Sequence, residues 1–351
     1  MEFYQKILIL CIVLLTMYIL FRLLWKRWQI QQENANANAN AGMTESFVSE
    51  IQPQNTNNPN LPLINYVVKG SFHSAYNYST NTIDLKTLST VLQRGVRFLD
   101  FEVYSVNGEA VVGYSSSLNP SANTIESSNY PEDPDIRLST IFNKINLQKP
   151  PNLTDPLFIH LRIKSALPEL YSKIAKAIDS AFSGTLFTNK LDLKKPLSVY
   201  KGKTVIVIDK INSTSGYSKI AKCKEESGRG CYDLNKYVNL ETGSDVCLST
   251  THNTVIQERP KTLHIKDDNV TVEVDEKVPT KWIFSMPNPL DSTNKYDIGD
   301  MILNHGVNIA LFRFDQDDTT TPGSNLAKYE KMFGNSSYLT MVNALQNLKS
   351  L

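Results

Sequence analysis

The spacing of apolar residues divides this chain into three parts. Residues Ile7 to Trp25 are apolar with breaks only at Thr16, Tyr18 and Arg22. At ~1.5 Å per residue such a run reaches across a bilayer core, which predicts one N-terminal transmembrane helix within an anchor over residues 1–28. From 29 to 62 the periodicity disappears: the chain reads NANANANAG over Asn34 to Gly42 and later QPQNTNNPNLP. Nothing there can bury enough surface to order itself, so a flexible Asn-rich linker is expected. Beyond Pro62, short apolar runs alternate with helical spacing. The order is LINYVV, a helix from Asp84 to Arg94, VRFLDFEVY, EAVVGY, PLFIHLRI, a helix from Leu167 to Phe182 and KTVIVID, then KWIFSM, a helix from Ile298 to Asn304, VNIALFRF and two C-terminal helical segments. That alternation predicts parallel strands joined by crossover helices. Residues 63–351, with an insert near 211–279, fit an α/β, TIM-like (β/α) barrel, a fold of ~250 residues. A doubly wound open sheet is the alternative, but no glycine-rich phosphate loop follows any predicted strand.

Charge settles orientation and excludes one class of partner. With 36 basic and 35 acidic side chains the chain lacks the basic excess that nucleic-acid binding requires. Only Lys6, beside Glu2, flanks the apolar run on its N-terminal side, whereas Arg22, Lys26 and Arg27 cluster at the other end with Trp25 and Trp28. The positive-inside rule then puts the large domain on the cytosolic side of a single-pass membrane protein. A cleaved signal peptide is the rival, disfavoured by the length of the run and the lack of a small-residue cleavage site. Cys223, Cys231 and Cys247 form an odd set, which agrees with the cytosol, and a clip from Cys231 to Cys223 or to Cys247 stays open. The N-x-Ser/Thr sequons at Asn77, Asn152, Asn212, Asn269 and Asn335 pull the other way.

In such a barrel, polar groups at the C-terminal ends of strands are the candidates for chemistry. LINYVVKGSFHSAYN delivers His73 into a turn, VRFLDFEVY carries Asp100 and Glu102 on one strand face, and PLFIHLRIK delivers His160, Arg162 and Lys164. Two carboxylates inside an apolar strand need a cation, either a divalent ion or an arginine. Ion pairing with Arg97 or Arg162 in a mouth that does no chemistry is the competing reading. His252, His264 and His305 have no second ligand at metal spacing and are read as having no role.

These motifs resemble the X and Y regions of phosphatidylinositol-specific phospholipase C. SFHSAYN stands for Ser-His-Asn-Thr-Tyr, RGVRFLDFEVY for Gly-Cys-Arg-Cys-Leu-Glu-Leu-Asp, EAVVGYSS for Pro-Val-Val-Tyr-His-Gly, and KPLSVYKGKTVIVIDK for the Leu-Lys-Gly-Lys strand. NPLDSTNKYDIGDMILNHGVNIALFRF stands for the Y-region sequence, so ordered matches run from 63 to 314. The resemblance implies a barrel of the PLC-like phosphodiesterase type and membrane lipids, with a phosphoinositide head group, as ligands. It also implies that His73 stabilises the phosphate and that Asp100 and Glu102 serve as base and calcium ligands. Phe284 falls where an aromatic stacks on the inositol ring, and Lys164 and Lys210 are basic candidates for a phosphorylated head group. The departures are as informative. The second histidine, the general acid, falls on Tyr114 or Gly113, neither of which titrates near neutrality. The calcium-binding Asn is Ser74, and the calcium-binding Glu of the third strand is Arg162, which repels a cation. Bacterial relatives use an arginine in place of calcium, the part Arg162 would then take. Losing the acid alone costs a factor of ~10²–10⁴ in rate. The expected protein is therefore a lipid-binding or structural barrel with lost or reduced catalysis. The alternative is an active phosphoric diester hydrolase acting on phosphatidylinositol or a glycerophosphodiester. A structural component of a virion membrane, with capsid or membrane proteins as partners, is a third reading.

Overall fold

A computed structural model of the protein describes residues 60–351 apart from 118, 120–123, 130–132, 149–154, 215, 222–231, 259–262, 267–268, 273–280, 292 and 316–323. The expected span, almost all of the linker, Cys223, Cys231 and Asn152 lie outside the described residues. Among the described residues no helix is long and apolar enough to cross a membrane.

Eight parallel strands follow one another in chain order around a nearly closed barrel: β1 (Tyr66–Ser71), β2 (Phe98–Val106), β3 (Leu157–Ile163), β4 (Thr204–Asp209), β5 (Leu240–Thr242), β6 (Cys247–Thr251), β7 (Trp282–Met286) and β8 (Ile309–Phe312). The register of β8 against β1, Val68 opposite Ile309 through Ser71 opposite Phe312, joins the last strand to the first. The ring stays unladdered between β5 and β6, where residues 243–246 connect the strands without a helix. The amides of Gly243 and Ser244 donate to the Cys247 carbonyl at 2.8 and 3.1 Å to close this turn. Gly243 adopts φ +80°, a left-handed conformation that costs a side chain strain. Both strands lie in the stretch expected to be an insert, so 211–279 supplies part of the barrel wall; LET and CLSTT are too short and too polar to show a period. Further along, Leu263–Lys266 pairs antiparallel with Asn269–Val272.

The longer helices are α1 (Leu85–Gln93), α2 (Leu138–Leu147), α3 (Pro168–Phe182), α4 (His252–Gln257), α5 (Ile298–His305), α6 (Asn325–Phe333) and α7 (Met341–Ser350), and two strands, Glu109–Gly113 in EAVVGY and Tyr338–Thr340, pair antiparallel with β2 and β1. Their ends follow local chemistry. The Asp84 carboxylate accepts from the amides of Lys86 and Thr87 to cap α1, and Asp297 caps α5 through Gly299. Helix α2, which sequence spacing did not predict, buries Leu138, Ile141, Phe142 and Ile145 on one face.

Strand parity sorts the core into two regions. Leu99, Phe101 and Val103 of β2, and Ile159, Leu161 and Ile163 of β3, point outward to the helices. Their neighbours Phe98 and Phe158 point into the lumen with Val207, Trp282, Phe284 and Ile309. Continuing the inward set toward the strand C-termini gives Asp100 and Glu102 on β2, and His160 and Arg162 on β3. The register pairs Asp100 with His160 and Glu102 with Arg162, so the carboxylates and their basic neighbours stand side by side.

Candidate active site

The turn after β1 is shaped by Asp100. His73 sits at φ +45°, uncommon for a residue with a side chain. Its amide donates to Asp100 Oδ2 at 3.1 Å, the Ser74 amide donates to the Asp100 carbonyl at 2.9 Å, and the Asp100 amide donates to Ser74 Oγ at 2.9 Å. One aspartate thus holds the strained turn that brings the His73 imidazole over the lumen.

Arg162 fills the space between the two acids. Its Nε and Nη2 donate to Asp100 Oδ1 and Oδ2 at 3.0 and 2.9 Å, a bidentate pair, and Nη1 reaches Glu102 Oε1 at 3.3 Å. Nη2 also lies 3.1 Å from His73 Nε2. Lys164 adds a second cation 3.2 Å from Glu102 Oε1, and the Ser115 amide donates to Oε2 at 3.0 Å. Below, His160 Nδ1 lies 2.8 Å from Asp100 Oδ1, and its Nε2 lies 3.0 Å from Thr242 Oγ1 and 3.6 Å from Asp209 Oδ2. Asp100, Glu102, His160 and Arg162 are all fully buried.

These neighbours set the protonation states. Burial, reinforced by the Arg162 charge, holds the His73 imidazole well below its ordinary value, so it is neutral at pH 7. Burial pushes the Asp100 carboxyl up, but Arg162 and His160 outweigh it and the net shift is strongly downward. For Glu102 burial wins over Arg162 and Lys164, and its carboxyl is raised. Burial lowers the Lys164 ammonium against the pull of Glu102. Tyr114 is raised by burial, so it stays protonated near neutrality and is a weak acid.

Calcium does not fit this donor set. A carboxylate offers about four lone-pair sites. Those of Asp100 already accept from Arg162 twice, from His160 and from the His73 amide. Ser74, at the expected ligand position, donates its hydroxyl to the Ser71 carbonyl at 3.2 Å. Among the described residues no cluster of His, Cys, Asp or Glu is arranged to hold a metal ion.

Of the residues singled out from sequence, His73, Asp100, Glu102, Tyr114, Arg162 and Lys164 meet at this mouth. Phe284 does not offer a ring face to a ligand: it is fully buried, packed 4.8 Å from the His160 ring and 5.5 Å from Phe98. Lys210 is outside the cluster, its side chain 57% exposed and 4.0 Å from Glu241. Arg97 lies at the opposite end of β2, donating to the Val96 carbonyl. Cys247 is a free, buried thiol, so it forms no clip with Cys231. His252 serves the core, with Nδ1 2.7 Å from Ser285 Oγ and Nε2 2.9 Å from the Leu311 carbonyl.

Sequence reasoning singled out His160 as a candidate without a specific role and passed over Asp209, Thr242 and Arg313. Asp209 ends TVIVID and Arg313 follows IALF, each a charge closing an apolar strand and so a signal that sequence offers. Thr242 carried no such signal, since its strand has three residues. Over the mouth, Tyr114 packs 5.0 Å from the His73 ring and stacks at 4.1 Å on Tyr76. Its hydroxyl donates to the Pro289 carbonyl at 2.9 Å, and Arg313 Nη2 donates to the same oxygen at 2.7 Å.

A nearly closed parallel barrel with this strand order is the fold of the PLC-like phosphodiesterases. The chain is similar to PLC21 of L. pealei, with 15% identity and a TM-score of 0.56 over 81% of this chain and 37% of that one. PLC21 of S. officinalis gives 15% identity and a TM-score of 0.55 over the same shares. The chain therefore spans little more than a third of the length of these proteins, and at this identity the likeness concerns the fold. Phosphatidylinositol-specific phospholipase C from Listeria monocytogenes matches more loosely, at 12% identity and a TM-score of 0.45 over 82% of this chain and 95% of that one. No family model and no curated protein matches the sequence.

Proposed function

We propose that this chain is a membrane-anchored, phospholipase C-like barrel that has lost most or all phosphodiester turnover and acts as a lipid-binding or structural protein. The supporting observation is the Arg162 guanidinium inserted between Asp100 and Glu102. A general base needs a free lone pair and a metal needs free oxygens, and the Asp100 carboxylate has neither to spare. At the position where the resemblance puts the general acid, Tyr114 is a poor one, because its hydroxyl is raised and tied to the Pro289 carbonyl. A phosphoinositide head group is the ligand class that the motif resemblance favours. The apolar run at 7–25 and its basic flank support an anchor with the barrel on the cytosolic side, in a cell membrane or that of an enveloped particle with capsid or membrane protein partners.

The test is turnover by the full chain in detergent micelles containing phosphatidylinositol, with and without calcium. No inositol phosphate should appear. Release that disappears in His73→Ala would overturn the reading. It would instead favour an active phosphoric diester hydrolase, for which the neutral His73 3.1 Å from Arg162 Nη2 is the supporting contact. A parallel screen of glycerophosphodiesters, with Asp100→Asn and Glu102→Gln as controls, covers the other substrate class.

A further inference from the structure

We propose that the Pro289 carbonyl oxygen is an internal stand-in for an oxyanion, and that Arg313 is the docking group for a phosphate-bearing ligand that displaces it. The proposal rests on reading the mouth as a binding site and names what it binds. Arg313 is fully buried. Among the described residues its Nε and Nη1 have no hydrogen-bond partner and it forms no ion pair; the fork is used only where it donates through Nη2 to the Pro289 carbonyl and meets the Tyr114 hydroxyl. Leaving buried N–H groups unmade is unfavourable, and a guanidinium fork matches an anion with several oxygens far better than one neutral carbonyl. Arg162, which lies 5.0 Å from the Phe72 ring, has two carboxylates of its own. Arg313, 5.2 Å from the same ring, has none within hydrogen-bond reach among the described residues. Burial raises the Asp315 carboxyl against the pull of the Arg313 charge, and its Oδ2 accepts from the Tyr78 amide at 3.1 Å.

The loop that supplies the carbonyl is built to let go at its tip. At its base Asn294 accepts from the Arg313 amide at 2.9 Å and donates to the Arg313 carbonyl at 2.9 Å. At its tip, Pro289 is held by Tyr114 and Arg313, and Leu290 beside it is 71% exposed. An anion that takes Arg313 frees the tip while the base stays anchored. Free phosphate and a lipid phosphate share this chemistry.

Hydrogen exchange of the full chain in maltoside micelles distinguishes these sources. One arm adds inorganic phosphate against chloride at matched ionic strength, and the other adds phosphatidylinositol to the micelles. The amides of Asn288, Leu290 and Asp291 should exchange faster when the anion binds, the reverse of ordinary ligand protection. Phosphate affinity should fall at least ~tenfold in Arg313→Met, and by about as much in Arg313→Lys, which keeps the charge and so guards against misfolding. Faster exchange in the second arm alone assigns the site to lipid, and in both arms to phosphate as such. Protection or no change at 288–291, no binding in either arm, or full affinity in Arg313→Lys would each overturn the proposal. Inositol phosphate release from the same samples is scored separately: turnover would remove the non-catalytic reading and leave the loop result standing.

Discussion

The lower and upper halves of the barrel lumen are lined by the same strands with the same parity, yet they are held together differently. Below His160 the inward positions are Phe98, Phe158, Trp282, Phe284 and Ile309. From its level upward they include Asp100, Glu102, Arg162, Lys164, Asp209 and Arg313. The apolar half gains ~25 cal/mol per Å² removed from water, whatever the partner, provided the volume is filled. The charged half gains nothing from burial as such. Each ion pays a desolvation cost of several kcal/mol that only a specific partner repays. Shape governs one half and pairing the other.

The sharpest way to break the contrast is to remove one partner above. Arg162→Ala leaves Asp100 and Glu102 buried without their shared cation and should lower unfolding stability by about 3–5 kcal/mol in urea titrations at pH 7. Below, Phe98→Ala should cost a comparable ~3–5 kcal/mol by opening a cavity, but this loss should be nearly constant with pH.

The acids sharpen the comparison further, because their shifts have opposite signs. Asp100 has a depressed folded-state pKa, so its contribution is present above the unfolded value of about 3.9 and is lost as pH falls below it. Glu102 has a raised folded-state pKa, so its contribution is present below about 4.3 and is lost as pH rises through the folded value. Asp100→Asn should therefore cost about 1–3 kcal/mol at pH 7, a gap that narrows below pH ~4. Glu102→Gln should cost less at pH 7, and its gap to the parent should widen on acidification. Denaturation of both variants across roughly pH 3–8, a range that includes the unfolded-state titration of both acids, checks the signs, and parallel profiles would contradict the pairing. The smallest effect belongs to Lys210→Ala. Its exposed pair with Glu241 should be worth under about 0.5 kcal/mol, and its removal should leave lipid binding unchanged.

Much of this was legible in sequence because parity is a local property. Acids two residues apart in VRFLDFEVY share a face in any strand, and Phe98 two residues earlier shares it too. The same rule places His160, Arg162 and Lys164 together, and it would have flagged Asp209 and Arg313 had it been applied to every strand end. Helix α2 went unread because its apolar face lies beyond a polar stretch between 115 and 135. Strands β5 and β6 went unread because three and five residues hold too few turns of a period to stand out.

The chain's apolar spacing alone determined the alternation of strands and helices outside α2, β5 and β6, and the inward and outward faces of the strands it revealed. Which acid meets which base was decided only when the barrel closed, since Asp100 and His160 are 60 residues apart and pair through strand register. The fate of Phe284 was decided there as well: its parity points it into the lumen, but its level in the barrel puts it beneath the charged layer and away from any ligand. Spacing along a strand fixes direction, whereas height and neighbours depend on the stagger of strands that meet across long loops.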